Sequence, residues 1–413
     1  MKKQHHRHNP ARHSYTILKQ LCNLIPGHLV SSLAKEHGVT EKSRTFTPWS
    51  HVVSLIYAQV THAIGLNDVC DALRMNGAVL STLRGATPPS RNNLSHANRV
   101  RDCDMAEALY WRMMEHLLRL TPGFAKGKIR RGYLRRFRSA IHAVDSTTIQ
   151  LVANCMDWAK HRRRKAAAKC HLRLNLQSFL PQCAVIGTAR HHDDRQARHL
   201  CAGLKSGEIA VFDKAYIDFE HLDELTQREV WWVSRAKSNM TYKVLAQVDS
   251  TRDKRIIRDE LIELTGQKFR QTRRWLRRIV ARVEIEGHEV EMVFLTNQMS
   301  WSAWTVAELY RCRWDIEVFF KEIKQTLQLS DFLGHSANAI RWQMWMGLLV
   351  HLLLRYLAFL HGWAHSFTRL FTVIRAVLWR RWSLPTLLDS YGTAKPPGRL
   401  RGNPEQAYLP GFA

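Results

Sequence analysis

Two short apolar runs, each ending on an aspartate, constrain this chain more than any other feature. The run at 140–144 ends at Asp145, and the run at 208–212 ends at Asp213. Around them the pattern alternates between strand and helix. Residues 171–179 alternate apolar and polar, 183–189 read as a third strand, and 193–204 as a helix. After Asp213 come a helix at 219–226 and a fifth strand at 230–234. Three early strands, then helix, strand, helix and strand, predict a mixed α/β sheet flanked by helices. Strand ends along one edge are where such sheets collect their sites. Taken singly, each aspartate could equally be a helix cap or a turn carboxylate.

Before residue 126 the pattern is helical. Residues 49–64 are strongly apolar and 104–120 are amphipathic, while 1–14 read as a disordered basic tail. Gly65, Leu66, Asn67 and Asp68 can cap one helix, and Pro88, Pro89 and Ser90 open another near Leu94. That pair suits a helix-turn-helix with Ser90, Arg91, Asn92, Asn93 and His96 toward DNA. A helical bundle with a polar loop suits it equally. A basic linker follows, Lys126, Lys128, Arg130, Arg131, Arg135, Arg136 and Arg138, with Tyr133 and Phe137 interleaved. It fits phosphate contact with stacking, or a solvated charge run. Residues 236–297 interrupt the strand–helix order with a hairpin, 279–286 against 289–295 about Gly287 and His288. Arg270, Arg273, Arg274, Trp275, Arg277 and Arg278 make this insertion a candidate DNA contact, and Trp232 or Trp275 a candidate platform for a flipped base.

Charge narrows the partner. Lys and Arg number 62 against 35 Asp and Glu, a net +27 and a pI near 10.2. Basic residues recur along the whole chain, so a polyanion fits better than a membrane surface. The most apolar stretch, 345–363, is broken by His351 and Arg355 and reads as a buried helix rather than a transmembrane span. The eight cysteines form no CxxC pair, which offers nothing for a zinc knuckle and suits a reducing cytosol with most of them buried.

A third carboxylate comes from a long helix predicted over 303–327. Tyr310, Arg313, Glu317 and Lys324 fall at i, i+3, i+7 and i+14, one stripe of that helix. The apolar stripe is Leu309, Ile316, Phe320, Ile323 and Leu327, its centre roughly 70° away by helical geometry. Glu317 therefore lies at the margin of the buried face, while Asp315 and Glu322 fall on the far, solvated side. Three carboxylates suit two hard divalent cations working on a phosphodiester, with Arg313 and Lys324 on phosphates. The plainer alternative is an i,i+4 salt-bridge helix.

The Tyr310, Arg313, Glu317, Lys324 spacing resembles the signature of the insertion-sequence-four family of bacterial DDE transposases. Val144-Asp145-Ser146-Thr147 and Phe212-Asp213-Lys214-Ala215-Tyr216 are similar to the family's first two catalytic segments; Ala215 stands where many members carry Gly. Trp158-Ala159-Lys160-His161-Arg162, Lys169, His171 and Pro181 agree as well, as do Ser43-Arg44-Thr45-Phe46, Gln59 and the segment from Asn92 to Asn98.

The resemblance implies a ribonuclease H-like core with a β-rich insertion between helical N- and C-terminal regions. It divides the chain at 1–14, 15–125, 126–235, 236–297, 298–335 and 336–413. It makes Asp145, Asp213 and Glu317 catalytic metal ligands for two Mg²⁺ ions, with Mn²⁺ as substitute. Tyr310, Arg313, Lys324, Arg135, Arg136 and Lys169 become DNA contacts. The partners it implies are double-stranded DNA at terminal inverted repeats and at a target, and a second copy in the DNA complex. It involves no membrane, and the location is the bacterial cytoplasm at the nucleoid. A hydrolytic nuclease on the same core, a non-catalytic DNA-binding regulator and a structural basic protein are the rivals. The last has no use for the Glu317 stripe.

Overall fold

The structure, a computed structural model, describes residues 10–39, 45–126, 133–151, 155, 160–162, 165–188, 193–248, 253–265, 275–285, 287–327 and 332–390. Residues 1–9, Lys128, Arg130 and Arg131 of the basic linker, Ser43, Arg44, Trp158, Arg270, Arg273, Arg274 and residues 391–413 lie outside the described residues. The chain divides into two units. One gathers the helices before Ala125 and after Lys321 with the stretch from Ile149 to Ala167; the other gathers Lys126–Thr148 and Ala168–Phe320.

The first unit is helical. Its N-terminal helices are α1 (Ile17–Cys22), α2 (Leu29–Glu36), α3 (Pro48–Thr61), α4 (Leu66–Met75), α5 (Gly77–Ser81), α6 (Arg91–Val100), α7 (Asp104–Leu120) and α8 (Gly123–Lys126). Helix α3 starts as its sequence directs, with Thr47 capping the Ser50 amide and Pro48 in the first turn, where its missing N–H costs nothing. Ser90 likewise caps α6 through the Asn93 amide at 3.2 Å. This leaves Arg91, Asn92, Asn93 and His96 on an exposed face while Leu94, Ala97 and Asn98 are buried. Between α4 and α6 stand α5 and a further loop, a longer connection than a tight helix-turn-helix makes.

The long apolar stretch forms one helix, Ala337–Leu360, packed on α3, α6 and α7. It is long and apolar enough to cross a membrane, but 72% of its most apolar window is buried in the fold. Its His351 and Arg355 face Glu322, the His351 Nε2 at 3.1 Å and the Arg355 guanidinium in a closer contact. Glu322 is therefore not on a solvated side, as helical periodicity placed it. Residues Glu322–Thr326 form a π-helical turn, which shifts every following side chain around the axis, and the partners come from a helix no local pattern could foresee. Burial works against the charge of Glu322, yet Arg355 and His351 hold its carboxyl below the ordinary value. Six of the eight cysteines are buried and none is in a disulfide.

The second unit is built on a mixed sheet. Its strands are β1 (Ile141–Leu151), β3 (Lys165–Asn175), β4 (Leu180–Thr188), β5 (Ile209–Phe212), β6 (Trp231–Arg235), β7 (Tyr242–Gln247), β8 (Ile256–Leu264), β9 (Trp275–Ile285) and β10 (His288–Thr296). The short β2 (Lys160–Arg162) pairs only with the start of β3. The order β4-β3-β1-β5-β6 has β3 and β4 antiparallel and β1, β5 and β6 parallel. That is the ribonuclease H-like arrangement the resemblance implies. Strand β5 is buried throughout, which is why it reads as a continuous apolar run.

The residues after β6 do not leave this sheet. Strand β10 pairs antiparallel with β6, and β9, β8 and β7 follow outward, so the inserted strands extend the same layer. Helices α9 (Asp193–Cys201) and α10 (Phe219–Gln227) cover one face. There Ala197, Leu200, Leu222 and Leu225 pack with Val144, Phe212, Trp232 and Leu295. The opposite face carries α11 (Ala303–Arg311), where the Tyr310 and Phe294 rings lie 5.2 Å apart.

Candidate active site

Register fixes the first two carboxylates. Val144 stands opposite Phe212 at the end of the parallel β1–β5 pairing, so Asp145 and Asp213 are the next residues on adjacent strands. Val144 and Phe212 point into the α9/α10 core, so strand alternation sends both aspartates to the α11 face. Asp145 is not at a strand end, as its sequence suggested. Strand β1 runs on to Leu151 beside β3 after its pairing with β5 has stopped. Asp213 precedes a 3₁₀ turn at Lys214–Tyr216, yet its side chain makes no capping bond there. Neither aspartate is spent on a cap.

The helix over 303–327 is not continuous. Helix α11 stops at Arg311, a tight turn follows in which the Arg313 amide donates to the Tyr310 carbonyl at 3.0 Å, and α12 (Trp314–Lys321) begins. The break lets side chains on both sides face the aspartates. The Tyr310 hydroxyl donates to Asp213 Oδ1 at 3.1 Å. Arg313 donates from Nη1 to Asp145 Oδ2 at 2.8 Å and from Nη2 to Glu317 Oε1 at 2.9 Å. The other Asp145 oxygen accepts from the Ser146 amide at 2.7 Å. The i,i+4 ion pair expected of a plain salt-bridge helix does exist, but its arginine also reaches a strand 168 residues away in sequence.

Burial sets the electrostatics. It lifts the Asp145 carboxyl from 3.8 to about 6, while Arg313 and the Ser146 amide pull the other way and Glu317 and Asp213 add to the rise. Burial likewise pushes the Tyr310 phenol up to about 12, so it is a hydrogen-bond donor at neutral pH. For Arg313, burial opposes the charge, but Tyr310, Asp145, Glu317 and Asp213 hold its pKa above the ordinary guanidinium value.

The donor set is oxygen only, from carboxylates, which suits a hard divalent cation. Asp145 and Glu317 already face one cationic group, the Arg313 guanidinium. The three carboxylates do not close on a single point. Among the described residues, the one trio of ligand atoms within 4.8 Å of one another is Asp102, Cys103 and Asp104, where Arg341 holds Asp104 at 2.8 Å.

The other expected contacts lie on the following elements. Arg136 is exposed on a 3₁₀ turn, Tyr133–Arg136, which also holds Arg135. Lys169 sits half-buried on β3 opposite Gly187. Lys324 belongs to the π turn in the helical unit. Trp232 is fully buried, its Nε1 donating to Thr226 at 3.1 Å, so it cannot stack on a base; Trp275, at 61% exposure, is open.

The sequence pattern misassigned Arg277, which pairs bidentately with Asp259 at 2.8 and 2.6 Å and also binds the carbonyls of Met299 and Trp301. Its position in a run of arginines suggested a DNA contact, but it is buried and ties down the loop that launches α11. No local signal separates it from the other arginines of that run.

A family model described as a transposase DDE domain matches residues 136–353, and a domain of unknown function matches 13–83. A Geobacillus stearothermophilus protein named as a transposase for insertion sequence element IS5377 is 29% identical over 61% of this chain and 65% of its own length. That is slightly under two thirds of the relative. A Sinorhizobium fredii protein named as transposase y4zB is 31% identical over 63% of this chain and 73% of its own. A solved piggyBac transposase synaptic complex with hairpin DNA is similar over 88% of this chain and 79% of that one, at TM-score 0.44 and 9% identity.

Proposed function

This chain belongs to the family of transposase DDE domains, and we propose that it cuts and rejoins DNA at the ends of an insertion sequence. The reading is carried by one observation: side chains from two adjacent strands are met by side chains from α11, α12 and the turn between them, Tyr310 on Asp213 and Arg313 on both Asp145 and Glu317. Membership of the family implies divalent metal. Asp145, Asp213 and Glu317 would hold two Mg²⁺ ions, with Mn²⁺ as substitute. Such ions, when bound, make an oxygen nucleophile more reactive and stabilise the leaving 3′ oxygen.

The protein's own groups position the reactants. Tyr310 orients Asp213 and reaches the DNA backbone. Arg313 and Lys324 hold phosphates, and Lys169, Arg135 and Arg136 extend the basic track. Water attacks a phosphodiester at the element's end; the P–O bond to the 3′ oxygen breaks, which takes up a proton. The freed 3′-OH then attacks a second phosphodiester: a new P–O bond forms, the bond to that strand's own 3′ oxygen breaks, and that oxygen takes up the proton. On the opposite strand this closes a hairpin; on target DNA it joins the element to its new site. The substrate is double-stranded DNA with terminal inverted repeats, worked by two copies in the bacterial cytoplasm.

The test supplies pre-cut element ends with free 3′-OH, a target plasmid and Mg²⁺ or Mn²⁺. Joined product supports a transposase. Hydrolysis with no joining makes the chain a nuclease on the same core. A strand of double length on a denaturing gel reports the hairpin.

A further inference from the structure

Arg313 lies where a metal must go. Both oxygens of Asp145 are engaged, one by the Ser146 amide and one by Arg313 Nη1, and Arg313 Nη2 takes a Glu317 oxygen. A guanidinium and a divalent ion cannot share those oxygens, because two cations in a poorly solvated pocket repel strongly. Arg313 is 7% exposed, and its Nε has no hydrogen-bond partner. It is placed in the turn between two helices rather than inside one, between the Tyr310 ring at 5.5 Å and the Trp314 ring at 5.6 Å. Both rings already lie within cation–π reach of the guanidinium as it rests on the carboxylates.

We propose that Arg313 is the resident counter-ion of this site, holding Asp145 and Glu317 until divalent metal displaces it and then turning to a DNA phosphate. This rests on the reading of Asp145 and Glu317 as metal ligands. Its consequence is linkage. Metal entry frees a planar, bidentate phosphate receptor, and a phosphate that captures the guanidinium vacates the carboxylates for metal. Each ligand then raises the affinity for the other by the same factor. Without DNA the chain binds metal weakly, because every ion must first expel an arginine.

The test measures Mn²⁺ binding to the full chain without DNA, by the loss of the free-ion paramagnetic resonance signal. Arg313→Gln is expected to bind Mn²⁺ about tenfold more tightly than wild type, and Arg313→Lys to lie between them. The added affinity must vanish in the Arg313→Gln, Asp145→Asn double variant. Equal or weaker binding by Arg313→Gln, with binding still dependent on Asp145, overturns the counter-ion role alone. Wild-type binding that ignores Asp145→Asn overturns the metal-ligand reading, and the counter-ion with it.

Should Arg313→Gln fail to fold, the wild-type chain carries the test through its ¹⁵N-arginine spectrum. Saturating Mg²⁺ should shift the Nε–H resonance that Arg313→Lys removes. A resonance that Mg²⁺ leaves in place contradicts the proposal.

Discussion

Tyr310 gives its hydroxyl hydrogen to Asp213, 3.1 Å away in space and 97 residues back in the chain. That bond ties the end of α11 to the strand that carries the second aspartate. Removing it should weaken the site without dissolving the fold. Tyr310→Phe keeps the ring contact with Phe294 and leaves one Asp213 oxygen without its donor. We expect a stability loss of about 0.5–1.5 kcal/mol, read from urea denaturation. Mg²⁺-dependent cleavage should fall by roughly tenfold or more if the bond aims Asp213. Unchanged cleavage would make Tyr310 a packing residue.

The raised pKa of Asp145 predicts an unusual stability profile. Burial lifts its carboxyl to about 6, so the folded, metal-free chain favours the protonated acid more than the unfolded chain does. Its stabilising contribution is therefore complete below about 4 and is lost as pH rises through about 6. In EDTA at pH 7.5, Asp145→Asn should raise Tm by on the order of 3 °C, with the gain shrinking toward pH 4.5. Scanning calorimetry at the two pH values checks this; a variant less stable than wild type at pH 7.5 contradicts it.

The Arg277–Asp259 pair predicts a large structural effect away from the chemistry. Both side chains are buried, and Arg277 also binds the carbonyls of Met299 and Trp301. Asp259→Ala leaves a buried guanidinium without its carboxylate and should cost about 3–5 kcal/mol, measured by chemical denaturation. A loss below about 1 kcal/mol would place the pair among weak surface bridges.

Much of this architecture is legible from sequence where one residue answers to one local rule. The buried runs before Asp145 and Asp213 mark parallel strands because neither face meets water, and Leu309, Ile316, Phe320, Ile323 and Leu327 are all buried as their spacing requires. What escapes are facts that depend on distant partners. Asp145 lies inside its strand because β3 goes on pairing after β5 has stopped. Glu322 is partly buried and paired because His351 and Arg355 arrive from another helix. Arg313 reaches two carboxylates only because the predicted single helix breaks at Cys312 and Arg313. A helical wheel drawn on an unbroken helix sets Arg313 beside Glu317 but cannot show Asp145.

The most direct measurement is Mg²⁺-dependent cleavage of element-end DNA by Asp145→Asn, Asp213→Asn and Glu317→Gln, with DNA affinity measured on the same preparations. Each single variant should lose at least about a thousandfold in cleavage rate while its Kd for DNA stays within about threefold of wild type. A variant that binds DNA and still cleaves at near the wild-type rate would remove that carboxylate from the site.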